Sequence, residues 1–389
     1  MMEFAKALRE RLPKAFLGNS PLPIAAMDYG EELDVKNKAF SLFCKENGLP
    51  EPDLIVDSPK SRAYRTTTKR RCFFENGSCR LVFGDREDRT GYAEILEPSE
   101  HLAIYRFIED YLNKPVFGAL SAVMNWVVIR GSYTRFALIF NICKMDAVIV
   151  RKLKLLSEHL KASGLNVFAA HLYFDPTRSD YYLEAERPIK TLSFKTLYGP
   201  KDLTLDLGKF RLKYPVTGFS QINESQIPNL LRLAGDLLSP GENAHLLDLY
   251  CGYGLFSFGI GEKAKSSFGV EWIGPSIESA KSNARFLKRR AQFVAGKIDG
   301  RFVEKSIPAF DDAEFLLLDP PRKGVEQGVI PALAKRGPER VLHIFCGTDE
   351  IPRSVNQWRL SHYRVSKIQP LDLFPGTPHL ETLVLLERS

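Results

Sequence analysis

Cys346, Asp319 and Glu381 each stand at the edge of an apolar run, and together they could do covalent and proton-transfer chemistry. Cys346, followed by Gly347, closes the run VLHIF (341–345). A thiolate is a strong nucleophile, but a free thiol has a pKa near about 8.5, so a site using Cys346 must stabilise the anion. Arg322, close behind Asp319, is one cation that could do so. Asp319 lies in LLLDPPRKG (316–324), where Pro320 and Pro321 fix the backbone and remove two amide donors. Such a rigid turn can hold a carboxylate at a defined depth. Glu381 leads the apolar run Thr382 to Leu386, where a carboxylate could move a proton.

Each feature also has a plainer explanation. Cysteine is among the most buried residue types, so an inert core thiol is its ordinary state. A proline-stiffened exit can merely end a strand, and a charge at a strand start is ordinarily solvated. The placement argues for chemistry: Asp319 and Cys346 fall at the carboxyl ends of two strands, and Glu381 at the start of a third that would return to the same edge. Open α/β sheets bind ligands at that edge. Cys251 is the competing thiol; it lies inside a glycine turn and reads as packing.

That turn, DLYCGYG (248–254), follows an apolar run and precedes a helical one. Gly252 and Gly254 let the backbone approach a ligand closely, although a structural turn explains two glycines nearly as well. The next strand ends in Gly269-Val270-Glu271. An acidic residue about 20 positions past such a loop is placed to accept hydrogen bonds from ribose hydroxyls. GYGLFS lacks the third glycine of GxGxxG, which argues against a nicotinamide dinucleotide. S-adenosylmethionine tolerates the loss, having no pyrophosphate to bring to the helix N-terminus. The bland alternative for Glu271 is a surface carboxylate.

The elements that must carry these residues are legible as alternating strands and helices over 205–389, the pattern of a doubly wound sheet. Candidate strands are 245–250, 266–272, 291–296, 314–319 and 340–345. The last two candidates, 363–374 and 379–388, lack a crossover helix and should pair antiparallel. The expected fold class is therefore α/β, a Rossmann-like domain over 196–389 closed by an antiparallel C-terminal hairpin, plus a central α+β domain over 56–195. In the latter, Asn76-Gly77 marks a hairpin, 101–112 and 146–164 read as helices, and Gly131-Ser132 joins two strands. Residues 1–55 read as a helical and loop segment, with Phe4, Leu8, Leu12 and Phe16 at helical spacing.

The chain has 389 residues and a net charge of +7, a modest excess that fits a polyanionic partner without demanding one. Its six cysteines show no CxxC spacing, so neither a metal nor an iron–sulfur cluster is expected. Sparse cysteines, the absence of an apolar leader and the absence of a long apolar window together predict a cytoplasmic protein without membrane contact. Lys60, Arg62, Arg65, Lys69, Arg70 and Arg71 form a basic stretch free of acids over 60–71, with Tyr64 interleaved. It could track phosphates or be a solvated strand face. Arg285, Lys288, Arg289 and Arg290 read better as a solvated helix face.

Taken in order, GFSQINESQ (218–226), LLDLYCGYGLFS (246–257), GVEWIGPSIESAKSNA (269–284), LLDPPRKG (317–324), LHIFCG (342–347) and LDLFPGTPHLETLVLL (371–386) resemble the RNA uracil-5 methyltransferase family. The resemblance is strongest over 215–389 and runs more weakly back to about residue 57. It implies a methyl transfer from S-adenosylmethionine to carbon 5 of a uridine in tRNA or rRNA. It makes Cys346 the nucleophile that adds to carbon 6 and Glu381 the base that removes the carbon-5 proton. It places Gln221, Tyr250, Glu271 and Asp319 at cofactor-contacting positions, and reads 58–71 as the basic entry to the central domain. An enzyme of this kind must swing its target base out of the stack, and a monomer is expected.

Departures from the family pattern are equally visible. Phe345-Cys346-Gly347 stands where the family has Ser-Cys-Asn, and Leu255 where it has Asn. The N-terminus lacks the strand-rich pattern of the barrel many members carry. An amino-methyltransferase would use Asp-Pro-Pro followed by an aromatic residue, whereas Arg322 follows here, beside a cysteine and a glutamate that such transfer does not need. The reading from another class is an RNA-binding protein that kept the fold and lost turnover.

Overall fold

The computed structural model describes residues 2–13, 23–83, 92–178, 193–272 and 274–389; Phe16 lies outside them. The chain forms two compact units, one comprising Met1–Ser61, Leu207–Leu212 and Ser225–Ser389, the other Arg62–Asp206 and Lys213–Glu224.

The first unit is organised by a seven-stranded sheet. Its strands are β1 (His245–Leu249), β2 (Ser266–Glu271), β3 (Ala291–Ala295), β4 (Glu314–Leu318), β5 (Arg340–Phe345), β6 (Tyr363–Leu371) and β7 (Glu381–Arg388). They lie in the order β3-β2-β1-β4-β5-β7-β6. The first five are parallel, and β7 runs antiparallel to both β5 and β6. This is the Rossmann-like sheet with a reversed C-terminal hairpin that the strand spacing predicts. The central strands are predominantly apolar because both faces are covered; Asp248 in β1 and His343 in β5 are buried polar exceptions. Leu247 and Leu249 of β1 turn to one side, where they join Phe40, Phe43, Leu316, Leu318 and Trp358. Leu246 turns to the other, with Leu230, Leu237, Leu317 and Leu342.

The N-terminal segment belongs to this unit. Helix Tyr29–Glu46 starts at Asp28, whose side chain accepts from the amides of Gly30 and Glu31. Its Phe40 and Phe43 meet Phe4 of helix Phe4–Arg11 edge-to-face, with centroids 5.9 and 6.1 Å apart.

The second unit holds a six-stranded mixed sheet, ordered Ser78–Val82, Thr68–Glu75, Met124–Gly131, Phe136–Ile142, Val167–Phe174 and Ser193–Tyr198. Asn76 and Gly77 take the positive φ of 51° and 76° that the hairpin turn requires. Helices Ser99–Leu112 and Ala147–Ala162 set Ile104, Ile108, Leu153 and Leu156 against Val127, Ile129, Leu138 and Leu172 of the sheet. The expected α+β character is observed. Strand Ser193–Tyr198 carries too little apolar patterning to be read from the sequence.

Candidate active site

The glycine turn after β1 is held by carboxylates. Asp248, fully buried, accepts from the Ser257 amide at 2.9 Å and the Ser257 hydroxyl at 2.6 Å through Oδ2. Its Oδ1 is buried without a hydrogen-bond partner. Burial raises the Asp248 carboxyl to about 7 against the pull of Ser257. Tyr250 stands at φ 64°, a left-handed conformation that costs a residue with a Cβ on the order of 1–3 kcal/mol and clusters at ligand sites. Gly252 takes φ 54° with open space where a Cβ would project. Gly254, at φ 92°, begins helix Leu255–Gly259, and Leu255 is buried in the core.

Glu271, at the carboxyl end of β2, binds this turn from the side. Its Oε2 accepts from the Gly252 amide at 2.9 Å and its Oε1 from the Trp272 amide at 2.6 Å. Each carboxylate oxygen has about two acceptor sites, so one per oxygen stays available for a hydroxyl. Burial raises the Glu271 carboxyl and the two amides lower it, with burial prevailing.

Asp319 leaves β4 half-buried, its amide donating to the Leu249 carbonyl at 3.3 Å. Burial, Asp248 and Glu271 all raise its carboxyl. On the next strand, Phe345 pairs with Thr382 of β7. That is the last pair of the ladder: Cys346 follows it in a bend, Glu381 precedes it on β7, and the two side chains interact electrostatically. The Cys346 thiol is half-buried, 3.9 Å from the Pro320 carbonyl. Burial, then Glu381 and Asp319, push it up to about 12, while Arg322 pulls it down. Glu381 is 1% exposed and its Oε2 has no hydrogen-bond partner. Burial and Asp319 hold its carboxyl well above the ordinary range, again opposed by Arg322. A thiol, two carboxyls and a guanidinium thus share one electrostatic neighbourhood at the carboxyl edge of the sheet.

Gly347 explains one departure from the family pattern. A Cβ there would lie 2.9 Å from the Arg322 carbonyl oxygen, so the DPPR turn lies where an asparagine side chain would begin.

The other residues singled out from the sequence are distributed over both units. Gln221 belongs to the second unit and is buried. Lys60 is exposed in the first unit, and its carbonyl accepts from the Ser58 hydroxyl. Arg62, Arg65 and Lys69 are half-buried in the second unit. Lys69 and Arg71 lie 4.5 and 5.5 Å from the Trp126 ring centroid. Arg70 departs from the expected phosphate-facing role: it is buried and forks onto Glu97, at 2.7 and 2.5 Å, which leaves no face for an anion. Sequence reasoning missed Asp248 as a holding residue; its place at the carboxyl end of an apolar strand was the available signal.

Residues 305–389 match the family model described as tRNA (uracil-5-)-methyltransferase. Curated relatives include an uncharacterized RNA methyltransferase of Nanoarchaeum equitans, 32% identical over 49% of this chain and 41% of the relative. Another is the 23S rRNA (uracil(1939)-C(5))-methyltransferase RlmD of Mannheimia succiniciproducens, 31% identical over 50% of this chain and 44% of that protein. The chain spans less than half the length of these relatives. Among solved structures, the Pyrococcus abyssi tRNA (uracil-54, C5)-methyltransferase in complex with S-adenosyl-L-homocysteine superposes with a TM-score of 0.68 at 20% identity. That match covers 95% of this chain and 87% of the other. The resemblance and the fold class read from the sequence are both borne out.

Proposed function

We propose that this chain methylates carbon 5 of a uridine in tRNA or rRNA, using Cys346 as nucleophile and Glu381 as base. The observation that carries this reading is that Phe345 and Thr382, the chain neighbours of Cys346 and Glu381, pair across β5 and β7, with the Cys346 thiol against the turn that follows Asp319. The family model and the Mannheimia succiniciproducens relative, both named for uracil methylation, support the same reading.

The glycine turn fits an adenosine-type ligand. Gly252 leaves backbone approachable, Asp248 has an orphaned oxygen, and Glu271 keeps free lone pairs for hydroxyls. Tyr250, Gly252, Gly254, Glu271 and Asp319 would hold S-adenosylmethionine. When bound, it supplies an electrophilic methyl on a sulfonium sulfur.

Carbon 5 of uracil is a weak nucleophile, and Cys346 is there to change that. The thiol first gives its proton to solvent. Its thiolate bonds to carbon 6, and the displaced π electrons become an enolate with density at carbon 5. Arg322 favours the thiolate. Carbon 5 then takes the methyl, and the electron pair of the broken bond stays on the donor sulfur. The Glu381 carboxylate removes the carbon-5 proton, the ring double bond re-forms, and the Cys346–carbon bond breaks to return the thiolate. Glu381 finally releases the proton, so the net products are methylated base, demethylated donor and one proton. Burial raises both acids, so the site favours their neutral forms, and Arg322 works against that in each.

Mass-spectrometric mapping of 5-methyluridine in RNA from cells with and without this protein tests the reading. Loss of the modification at a defined uridine on deletion supports it; an unchanged map refutes it.

A further inference from the structure

Helix Tyr29–Glu46 carries an ionic cluster sealed from water. Lys36 is 0% and Glu32 1% exposed, and Asp372 is 0%. The Lys36 Nζ lies 2.7 Å from Glu32 Oε1 and 2.9 Å from Asp372 Oδ1, and it donates to the Phe374 carbonyl at 3.5 Å. Tyr29 donates its hydroxyl to Asp372 Oδ2 at 3.2 Å. Glu32 Oε1 also accepts from the Gly376 amide at 2.6 Å. Burial works against the Lys36 ammonium, but Asp372 and Glu32 together hold its pKa above the ordinary lysine value.

Stability alone does not account for such a cluster. Burying two carboxylates and an ammonium costs desolvation that apolar residues of the same volume avoid. What the cluster has is direction. Lys36 and Glu32 reach Asp372, Phe374 and Gly376 in the connection from β6 to β7, while the Tyr29 hydroxyl also accepts from the Ser58 amide at 2.7 Å. Asp372 directly follows Leu371, and Leu371 is the cross-strand partner of Glu381. The same connection is closed on itself by Thr377, whose hydroxyl and amide donate to the Phe374 carbonyl at 2.7 and 3.2 Å. Gln226 adds a bond from its side-chain amide to the Asp372 carbonyl at 3.1 Å.

We propose that Lys36, with Glu32 and Asp372, is the positioning device for Glu381: the N-terminal helix grips the 372–376 connection and so fixes where the carboxylate meets the reacting base. The proposal rests on the uracil-5 reading and assigns residues 29–46 a part in the proton-removal step. Lys36 touches no substrate and acts through Glu381.

The test separates proton removal from the steps before it. Covalent capture by 5-fluorouridine RNA needs Cys346 and methyl transfer but not the base, because fluorine cannot leave as a proton. Full-length wild type and Lys36→Met are compared on unmodified tRNA and 23S rRNA transcripts and on the same transcripts made with 5-fluorouridine, with S-adenosylmethionine. On uridine transcripts, Lys36→Met is expected to lose about 10- to 100-fold in kcat, part of the 10²–10⁴ a general base contributes, with KM nearly unchanged. A covalent protein–RNA complex should accumulate on denaturing gels. On 5-fluorouridine transcripts the variant should form adduct at close to the wild-type rate.

Equal loss of adduct formation and turnover would mean a merely structural role and overturn the proposal, as would unchanged kcat. A wild type that forms no adduct at all overturns the uracil-5 reading and the positioning role with it. If Lys36→Met does not fold, Glu32→Ala and Glu32→Gln decide. Gln keeps an oxygen for the Gly376 amide and should turn over about 10-fold faster than Ala, which leaves that amide without its acceptor and should accumulate the complex. Equal behaviour of the two overturns the proposal.

Discussion

Gly347 presses against the carbonyl of Arg322: a Cβ added there would sit 2.9 Å from that oxygen. The residue after Cys346 and the DPPR turn are therefore one packed unit. Gly347→Ala should push the turn away from Cys346 at a cost of about 1–3 kcal/mol, typical of overpacking. We expect kcat to fall about 10-fold or more, with a smaller loss of donor affinity by calorimetry, since of the donor-holding residues only Asp319 belongs to the displaced turn. Gly347→Asn, the residue the family pattern would supply, should be at least as impaired.

The pH profile carries a definite sign. Burial, Glu381 and Asp319 raise the Cys346 thiol to about 12, and burial and Asp319 raise Glu381, while Arg322 lowers both. Catalysis needs both ionised, so kcat/KM should climb from pH 6 to pH 9. Arg322→Ala removes the opposing charge. Its profile should lie about one pH unit higher, with activity at pH 7.5 down about 10-fold.

Glu381→Gln should separate stability from turnover. The folded state holds this carboxyl above its unfolded pKa of about 4.3, so its ionisation costs the fold as pH rises above that value. Glutamine does not titrate. The variant's melting temperature should therefore exceed that of wild type by more at pH 8 than at pH 5, at roughly 2–4 °C for each kcal/mol. The same variant should stall as a covalent RNA complex.

Glu271→Gln tests the donor site. Both oxygens of Glu271 accept backbone amides, from Gly252 and Trp272. Glutamine offers one oxygen and turns an NH2 toward the other amide, leaving a donor unmet at about 1–3 kcal/mol. Donor affinity should weaken about 10-fold by calorimetry, with the Cys346 step unaffected once donor saturates.

Much of this arrangement was legible in the residues. Parallel strands buried on both faces are mostly apolar, which is why HLLDL, EFLLL and RVLHIF stood out and the residues at their carboxyl ends could be placed at one edge. Long-range ionic pairing is not written locally. Arg70 sits in a basic run, and its partner Glu97 lies far along the chain, so the run could be read as tracking phosphates or as a solvated face but not as a buried ion pair. Glu32 and Lys36 look like an ordinary solvated i,i+4 pair; only tertiary contact with Asp372 reveals them as buried.

The central claim is that Cys346 bonds to the pyrimidine opposite Glu381. Wild type and Cys346→Ala are incubated with 5-fluorouridine transcripts and S-adenosylmethionine, digested with nuclease and protease, and sequenced by mass spectrometry. The account predicts a methylated fluorouridine on the Cys346 peptide of the wild type, with neither adduct nor methyl transfer in the variant. An adduct on another residue, or a Cys346→Ala protein that still forms 5-methyluridine, contradicts it.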